Sequence, residues 1–257
     1  MPSVPDRPAP PERHARHLSL PGFGAAAQAA LAQARFLVVG LGGLGGPAAT
    51  WLAAAGAGTL VLNDFDRVDL TNLQRQPLYG EADLGARKAV AAAGALGRLD
   101  AATRLEVRDA RLEGAALTRE VGAASVVLDC SDNFGTRYAL NAACLAAGVP
   151  LVSAAAVGWH GLIAAFDARR ATSPCYACAF AEDDETPADC ASGGVFGPLA
   201  GVIGTLAAVE AAKLATGVGE PLVGRLLRYD ARRATFSTST LARDPRCPAC
   251  RLRAVKD

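Results

Sequence analysis

The stretch that decides the fold is glycine-rich, spans residues 36–45 and reads FLVVGLGGLG. Its first four residues are apolar and predict a buried β-strand, which the spacing Gly40-x-Gly42-x-x-Gly45 follows at once. Glycines at this spacing let backbone N–H groups approach phosphate oxygens at the N-terminus of the next helix, where the helix dipole favours negative charge. The stretch therefore predicts a strand, a phosphate-binding turn and a helix.

Strand-like and helix-like segments alternate around this turn. A helical approach segment ends near Gln33. The predicted strands are 36–39, 59–62, 104–107, 125–129 and 150–154, and the predicted helices between them are 44–55, 85–99, 113–121 and 136–147. The alternation predicts an α/β fold with a Rossmann-like, doubly wound, mostly parallel sheet. Beyond residue 166, a hydrophobic helix over 198–216 and strands near 225–229 and 235–238 predict an antiparallel C-terminal addition.

The composition is that of a folded protein without a strong overall charge. The chain has 257 residues, of which 51% are hydrophobic, and its formal net charge is +1. This balance favours neither nucleic acid nor anionic lipid as a partner, and glycines and a proline interrupt the uncharged stretch over 36–63. Because no basic segment followed by a long apolar one opens the chain, we expect no export signal and a cytoplasmic protein that does not enter the membrane.

We expect one folded domain after a short tail. Residues 1–12 are rich in proline and poor in apolar side chains, which predicts a disordered N-terminal tail. Residues 13–257 are expected to form a single domain. Its nucleotide-binding part covers 13–155, and its second part, 156–257, contains two cysteine pairs.

A carboxylate and three further polar residues define a candidate nucleotide site. Asp64 follows Gly40 by 24 residues, at the end of the second predicted strand, where its carboxylate can accept hydrogen bonds from ribose hydroxyls. This pair alone makes NAD a serious candidate. Asn72, Arg75 and Lys88 favour a nucleoside triphosphate over NAD, because together they can bind and neutralise a third phosphate. Taken singly, Arg75 and Lys88 are more often solvated surface residues.

The predicted carboxyl end of a strand also offers a magnesium ligand. Asp132 lies just beyond the strand that ends at Asp129, and carboxylate oxygens are the ligands that Mg²⁺ prefers. Asp129 is the competing choice. In the structural alternative, Asp132 or Asn133 only caps the following helix.

Four of the seven cysteines form two Cys-x-x-Cys pairs, Cys175 with Cys178 and Cys247 with Cys250. Four thiolates complete a tetrahedral shell with no open position for a substrate, so we predict a structural zinc site. The alternative is two unrelated reduced thiol pairs or redox motifs. Cys130 and Cys144 are predicted to be small core residues.

Taken together, these motifs resemble those of the ThiF/MoeB/HesA family, the bacterial relatives of ubiquitin-activating enzymes. The resemblance rests on 40–45, 72–76, Lys88, 129–133 and both cysteine pairs, and it extends from about Arg13 to Cys250. It implies ATP-dependent adenylation of a ubiquitin-like sulfur-carrier protein. It also implies that 13–257 is an adenylation domain in which 156–257 is the carrier-binding and zinc part.

The resemblance also implies roles for individual residues. ATP-site positions, including the glycines of the turn, are occupied by Gly40, Gly42, Gly43, Gly45, Asp64, Asn72, Arg75, Gln76, Lys88, Asp132 and Asn133. Arg16 resembles the family arginine that reaches the triphosphate of a neighbouring subunit, which implies a homodimer. Tyrosine and glutamine are frequent in the family where this chain has His14 and His17, and proline is frequent where it has Arg87.

The partners follow from the same resemblance. A Gly-Gly tail of the carrier is expected to pass under the crossover loop, while the body of the carrier rests on the apolar addition after Phe166. Cys190 is a candidate for sulfur transfer, since ThiF-type relatives form an acyl-disulfide there and MoeB-type relatives do not need it. The acidic run over 182–185 is a candidate carrier contact, although a solvated charge run is the commoner case. Because no rhodanese-like extension follows Cys250, we expect a separate sulfur donor such as a cysteine desulfurase or a rhodanese.

Two rival functions stay open at this stage. The glycine turn and Asp64 also suit an NAD-dependent oxidoreductase, although no acid or base for hydride transfer is evident. A noncatalytic, zinc-stabilised nucleotide-binding scaffold is the second rival. Between thiamine and molybdopterin synthesis, the sequence weakly favours the ThiF-like pathway, on the basis of 157–158, 194–198 and Cys190.

Overall fold

A computed structural model describes residues 11–180 and 194–251. The first described elements are a 3-10 helix over Pro11–His14 and two helices, α1 (Ala15–Leu18) and α2 (Gly24–Gln33). The end of α2 confirms the predicted approach helix. Of the predicted tail, residues 1–10 lie outside the described residues, and 11 and 12 open the 3-10 helix.

The alternating part of the chain runs from β1 to β5. In order, it contains β1 (Arg35–Val39), α3 (Gly45–Ala54), β2 (Thr59–Asn63), α4 (Lys88–Leu99), β3 (Arg104–Arg108), α5 (Gly114–Gly122), β4 (Val126–Asp129), α6 (Phe134–Ala147) and β5 (Leu151–Val157). The remaining part contains β6 (His160–Phe166), α7 (Tyr176–Ala179), α8 (Gly197–Thr216), β7 (Arg225–Asp230) and β8 (Thr235–Thr240).

All eight strands form one sheet in the order β3-β2-β1-β4-β5-β6-β7-β8. Neighbours from β3 to β5 are parallel, and those from β5 to β8 are antiparallel. The predicted fold class is confirmed. The strand order reverses between β1 and β4, and such a switch point opens a crevice beyond the carboxyl ends of the parallel strands.

One predicted helix begins later than expected. The pattern placed its start at residue 85, whereas α4 begins at Lys88. Gly85 has a φ of +81° and donates its N–H to the Val68 carbonyl, and Arg87 forms an antiparallel bridge with Arg67. These long-range bonds keep 85–87 out of the helix, and apolar spacing does not reveal them.

The central strand is buried on both faces because helices cover both sides of the sheet. Phe36 and Val38 pack with residues of α3, α4 and α8, whereas Leu37 and Val39 pack with residues of α5 and α6. All four of these side chains are buried. This explains why β1 is a continuous apolar run rather than an alternating pattern.

Helix α8 is 20 residues long and, by length and composition alone, apolar enough to cross a membrane. Half of its most apolar window is buried inside the protein, and α8 packs against α3 and the central strands. Buried Glu210 accepts a hydrogen bond from the Leu222 N–H at 2.7 Å and pairs with Lys213. In this structure α8 is therefore a core helix that holds the antiparallel addition.

Candidate functional site

A cavity of about 820 Å³ opens at the carboxyl ends of β1, β2 and β4. It is lined by every residue predicted for the nucleotide site except Gly45. A Cβ at Gly45 would lie 1.8 Å from the Gly40 carbonyl oxygen, so this glycine permits the close packing of the turn. The structure thus brings the separate sequence motifs together in one crevice.

The glycine turn is fixed from both sides at Leu41. Its N–H donates to Asp64 Oδ2 at 2.8 Å, and its carbonyl accepts a hydrogen bond from the Tyr79 hydroxyl, also at 2.8 Å. Gly40 has a φ of +85°, and a Cβ there would lie 2.6 Å from the Cys130 carbonyl oxygen. These contacts hold the turn in shape before any phosphate arrives.

Asp64 is buried at the end of β2, and both of its carboxylate oxygens accept backbone N–H groups. Leu41 donates to Oδ2, and Asp66 donates to Oδ1 at 2.8 Å. Burial raises the pKa of Asp64, while the two backbone hydrogen bonds and the charge of Lys88 oppose the rise. A carboxylate offers about four lone-pair sites, so two remain for hydroxyl donors such as those of a ribose.

Two cations line the cavity together with the glycine turn. Lys88 is the first residue of α4, its side chain is buried, and its Nζ lies 3.2 Å from Asp66 Oδ2. Arg75 donates from Nη1 to the Thr71 carbonyl at 3.0 Å. Asp69 caps the short 3-10 helix Leu70–Asn72, which carries Asn72 to the cavity. The two cations make the cavity suited to a polyanion.

Gln76 contributes a buried polar side chain to the wall of the cavity. Its Oε1 has no hydrogen-bond partner within 11–180 and 194–251. Buried polar atoms in folded proteins nearly always have a partner, so this oxygen is an exception in the cavity wall.

The structure separates the two candidate magnesium ligands. Asp129 is fully buried and accepts hydrogen bonds from the Ser131 N–H, the Ser131 hydroxyl and the Ser153 hydroxyl. Asp132 is exposed and lines the cavity. Asn133, not Asp132, caps α6 by accepting the Thr136 N–H at 2.9 Å. Asp132 therefore keeps its carboxylate free for a cation within the described chain.

Arg16 does not line this cavity. It lies in α1, which is anchored at the opposite end of the sheet: Arg13 donates to the Leu99 carbonyl at 2.6 Å, and His14 lies beside Gly56. Its side chain is exposed and makes no ion pair or hydrogen bond with the described residues. Within one chain, the structure therefore places Arg16 outside the cavity.

The four paired cysteines meet in a compact cluster. All four Sγ atoms lie within 4.8 Å of one another, and the shortest pairs are separated by 3.5 to 3.7 Å. A tetrahedral zinc with Zn–S bonds of about 2.3 Å requires S···S distances of about 3.8 Å. The donor set and its spacing therefore fit a closed zinc site. Asn141 Nδ2 lies 3.8 Å from Cys175 Sγ and supports it from outside.

The other cysteines divide into two groups. Cys130 and Cys144 are buried, which confirms their prediction as small core residues, and burial raises the pKa of Cys144 to about 12. Cys190 and the acidic run over 182–185 lie outside the described residues. Their predicted roles stay predictions.

Sequence reasoning missed three residues of this site. Tyr79 anchors the glycine turn, and Phe65 and Arg111 line the cavity with the Arg111 guanidinium carbon 4.5 Å from the Phe65 ring centroid. Arg111 follows β3 and carries no local motif. Only the pairing of β2 with β3 brings it beside Phe65.

The fold and the cavity define a class: an α/β protein with a nucleotide-type pocket at the switch point of its sheet. The model of the ThiF family matches residues 14–249, so the chain belongs to the ThiF family. The resemblance seen in the sequence is confirmed.

Named relatives and a solved structure agree with this assignment. The chain is 43% identical to the molybdopterin-synthase adenylyltransferase of Salmonella typhimurium, covering 93% of this chain and 95% of that protein. It is 40% identical to the sulfur carrier protein ThiS adenylyltransferase of Escherichia coli, with 93% and 94% covered. The crystal structure of E. coli MccB with MccA-N7isoASN superposes with a TM-score of 0.82 at 21% identity, over 97% of this chain and 77% of MccB. The MccB likeness concerns the fold alone.

Proposed function

We propose that this protein is an ATP-dependent adenylyltransferase that activates the C-terminal Gly-Gly carboxylate of a ubiquitin-like sulfur-carrier protein. The observation that carries the proposal is the set of groups that line one cavity. A preformed glycine turn and Asp64 line it together with Arg75, Lys88 and Asp132. A nucleoside triphosphate needs the two cations as well as the turn, whereas a dinucleotide pyrophosphate does not need them.

The relatives support this function over its rivals. The two relatives described above are named adenylyltransferases, one for molybdopterin synthase and one for the carrier ThiS. Neither name supports an NAD-dependent oxidoreductase or a noncatalytic scaffold. The carrier is ThiS-like or MoaD-like, and its identity decides between thiamine and molybdopterin synthesis.

The chemistry requires positioning rather than a protein nucleophile. A carboxylate oxygen of the carrier attacks the α-phosphorus of ATP and forms a new P–O bond. The bond between the α-phosphorus and the oxygen that bridges it to the β-phosphate breaks. Pyrophosphate leaves with the electron pair of that bond, and the carrier is left as an acyl-adenylate. Arg75 and Lys88 stabilise the charge that grows on the leaving group, and the glycine turn fixes the phosphates by backbone N–H groups.

Two metal ions fit the residues present. Asp132 is the carboxylate that would hold Mg²⁺, which supplies charge neutralisation to the phosphates when bound. Cys175, Cys178, Cys247 and Cys250 would hold a structural zinc. The zinc takes no part in the reaction, because the four thiolates leave no open position.

The exposed Arg16 belongs to the same proposal. It extends from α1, far from the cavity of its own chain, so it can serve only the cavity of a second copy. In a homodimer, Arg16 of each protomer would reach the triphosphate of its partner, which accounts both for its exposure and for its position outside the cavity of its own chain. Sulfur then comes from a separate donor, such as a cysteine desulfurase or a rhodanese, and Cys190 is the candidate acceptor in the chain.

Exchange of labelled pyrophosphate into ATP tests the activity directly. We expect exchange only when a carrier ending in Gly-Gly is present, together with an acyl-adenylate of that carrier detectable by mass spectrometry. Testing ThiS-like and MoaD-like carriers side by side identifies the pathway. Exchange without any carrier, or tight binding of NAD in place of ATP, would overturn the proposal.

Arg75→Ala tests the role of the cavity cations. We expect exchange to fall at least about 100-fold, because a charge-assisted contact to phosphate is lost in the transition state. Arg104→Ala is the matched control, since Arg104 is exposed on β3 and does not line the cavity. An Arg75→Ala enzyme with full exchange would remove Arg75 from the mechanism.

A further inference from the structure

Two histidines that flank Arg16 in the sequence form a stacked pair. The ring centroids of His14 and His17 are 5.9 Å apart, with 20° between the ring planes. His17 also meets the edge of Phe23, with ring centroids 5.5 Å apart. The nucleotide cavity does not include either imidazole. These rings attach α1 to the rest of the domain.

The His14 ring packs into a narrow space beside Gly56. The side chain is buried, and a Cβ at Gly56 would lie 2.7 Å from His14 Nε2, so only glycine leaves room for the imidazole. Gly56 has a φ of +87° and follows α3. The residues that surround the His14 ring therefore belong to the core of the domain and not to the arm, the segment 11–18 that carries Arg16.

A defined hydrogen-bond chain orients His17. Gln28 Nε2 donates to the Ala55 carbonyl at 2.9 Å, which turns Gln28 Oε1 toward His17 Nδ1 at 3.1 Å. An amide oxygen only accepts, so His17 Nδ1 carries a proton and donates it. This contact fixes the orientation of the His17 ring.

The surroundings of His14 disfavour a positive charge on its ring. The groups that face His14 are His17 and Arg13 from the arm and Asp100 after α4, and neither Gln28 of α2 nor Gly56 after α3 carries a charge. Arg13 Nε lies 3.8 Å from Asp100 Oδ2, so that carboxylate is already engaged. Burial and the nearby His17 lower the pKa of His14, and Asp100 only partly offsets them.

We propose that His14, stacked on His17, is a protonation-sensitive latch that docks the segment 11–18 at neutral pH and releases it in acid. In the docked state the latch holds α1 against α2 and presents the exposed Arg16 in one place. Protonation of His14 would place a cation in a buried position beside Arg13 and against the His17 ring, which favours undocking. His14 and His17 are thus positioning residues. Their link to activity rests on the role proposed for Arg16.

The sign of the effect follows from linkage. A histidine with a lowered pKa binds fewer protons when docked than when released, so docking weakens as pH falls below the ordinary value of 6.5. For each unit by which docking lowers the pKa of His14, the ratio of released to docked arm rises by about tenfold, once the pH is below the pKa of His14 in the docked state. At pH 7.5 the arm stays docked.

Hydrogen–deuterium exchange of the full-length protein measures the latch without using activity. After correction for intrinsic exchange rates, we expect peptides covering 11–20 to lose protection about tenfold or more between pH 7.5 and pH 5.5. His14→Phe keeps a flat ring without a charge, and His17→Gln keeps a hydrogen-bonding group without a charge. His14→Phe should lose most of the pH dependence, and His17→Gln should reduce it, because it removes one cause of the lowered pKa of His14. His160→Gln is the matched control, because His160 is exposed on β6 and should leave the dependence unchanged.

The outcomes separate the latch from the proposed function. Equal protection of 11–20 at both pH values in the wild-type protein would overturn the latch, and so would an unchanged pH dependence in His17→Gln. Carrier-dependent pyrophosphate exchange gives the second readout. We expect its acid limb to move to lower pH in His17→Gln. A latch seen by deuterium exchange without that movement would contradict the role of Arg16 and leave the latch intact.

Discussion

Asp64 shows how a single side chain connects two parts of the site. It ends β2, yet its Oδ2 holds the N–H of Leu41 in the glycine turn that follows β1. Both groups lie where neighbouring parallel strands end. The same carboxylate therefore shapes the phosphate turn and remains available to a ribose. Its loss should affect both nucleotide affinity and local stability.

Asp64→Asn tests this double role. The amide oxygen can accept only one of the two backbone N–H groups, and the NH₂ group faces the other, so a buried donor loses its partner. We expect the Kd for ATP to rise by about tenfold and the stability to fall by about 1–3 kcal/mol. Isothermal titration and urea unfolding measure the two effects. Asp109→Asn is the control, since Asp109 is exposed near the same edge and should change neither. A variant with unchanged ATP affinity would contradict the role of Asp64.

The residues of the cavity were predictable only where a motif carries them. The glycines, Asp64, Asn72, Arg75 and Lys88 lie in short runs after strands, so their meeting follows from parallel strand order. Tyr79 and Arg111 lie in no such run, and strand pairing or a long-range hydrogen bond brings them in. The sequence already favours Asp132 over Asp129 as the magnesium ligand, and this stays a prediction; the structure adds that Ser131 and Ser153 bind Asp129 in the core.

At the scale of elements, α8 and α3 meet through a close backbone contact. A Cβ at Gly204 of α8 would lie 2.2 Å from the Leu44 carbonyl oxygen, at the start of α3. Leu44 lies in the glycine turn itself. The approach of α8 therefore sets the position of the turn as well as the packing of two helices.

Gly204→Ala and Gly201→Ala form a matched pair on α8. The first places a methyl group against backbone that cannot move freely, and overpacking of this kind costs about 1–3 kcal/mol. The second meets nothing within 4 Å, and alanine should stabilise the helix by about 0.5–1 kcal/mol. Urea midpoints should thus shift in opposite directions. Equal shifts for the two variants would show that the α8–α3 contact tolerates a side chain.

The same scale explains why several strands could be predicted from the sequence and why the start of α4 could not. Strands β1, β2 and β4 are buried on both faces and read as apolar runs, so periodicity located them. The start of α4 depends on the bridge between Arg67 and Arg87, which are far apart in the sequence. Local patterns describe propensity and burial, but they do not contain such pairings.

For the whole molecule, the cysteine cluster closes a long loop of the chain. Cys175 and Cys247 are 72 residues apart and their sulfurs lie 3.7 Å from each other. The segment between them contains α8, β7 and β8, so the cluster ties both ends of the antiparallel addition to one point. Closing a loop of this length removes chain entropy from the unfolded state, and the metal would supply the bond energy.

Cys250→Ser therefore tests the clamp at the level of the fold. Loss of one thiolate opens the four-sulfur shell, so we expect bound zinc to fall from about one per chain to substoichiometric levels and the melting temperature to drop by several degrees. Elemental analysis and calorimetry measure these changes. Cys144→Ala is the control for removing a buried thiol: it should lower stability by cavity formation but keep the zinc. A wild-type protein purified without chelators that contains no zinc, or a Cys250→Ser protein that retains it, would show that the clamp holds by packing alone. Because the addition carries the surface proposed for the carrier, zinc loss should also weaken carrier binding more than ATP binding.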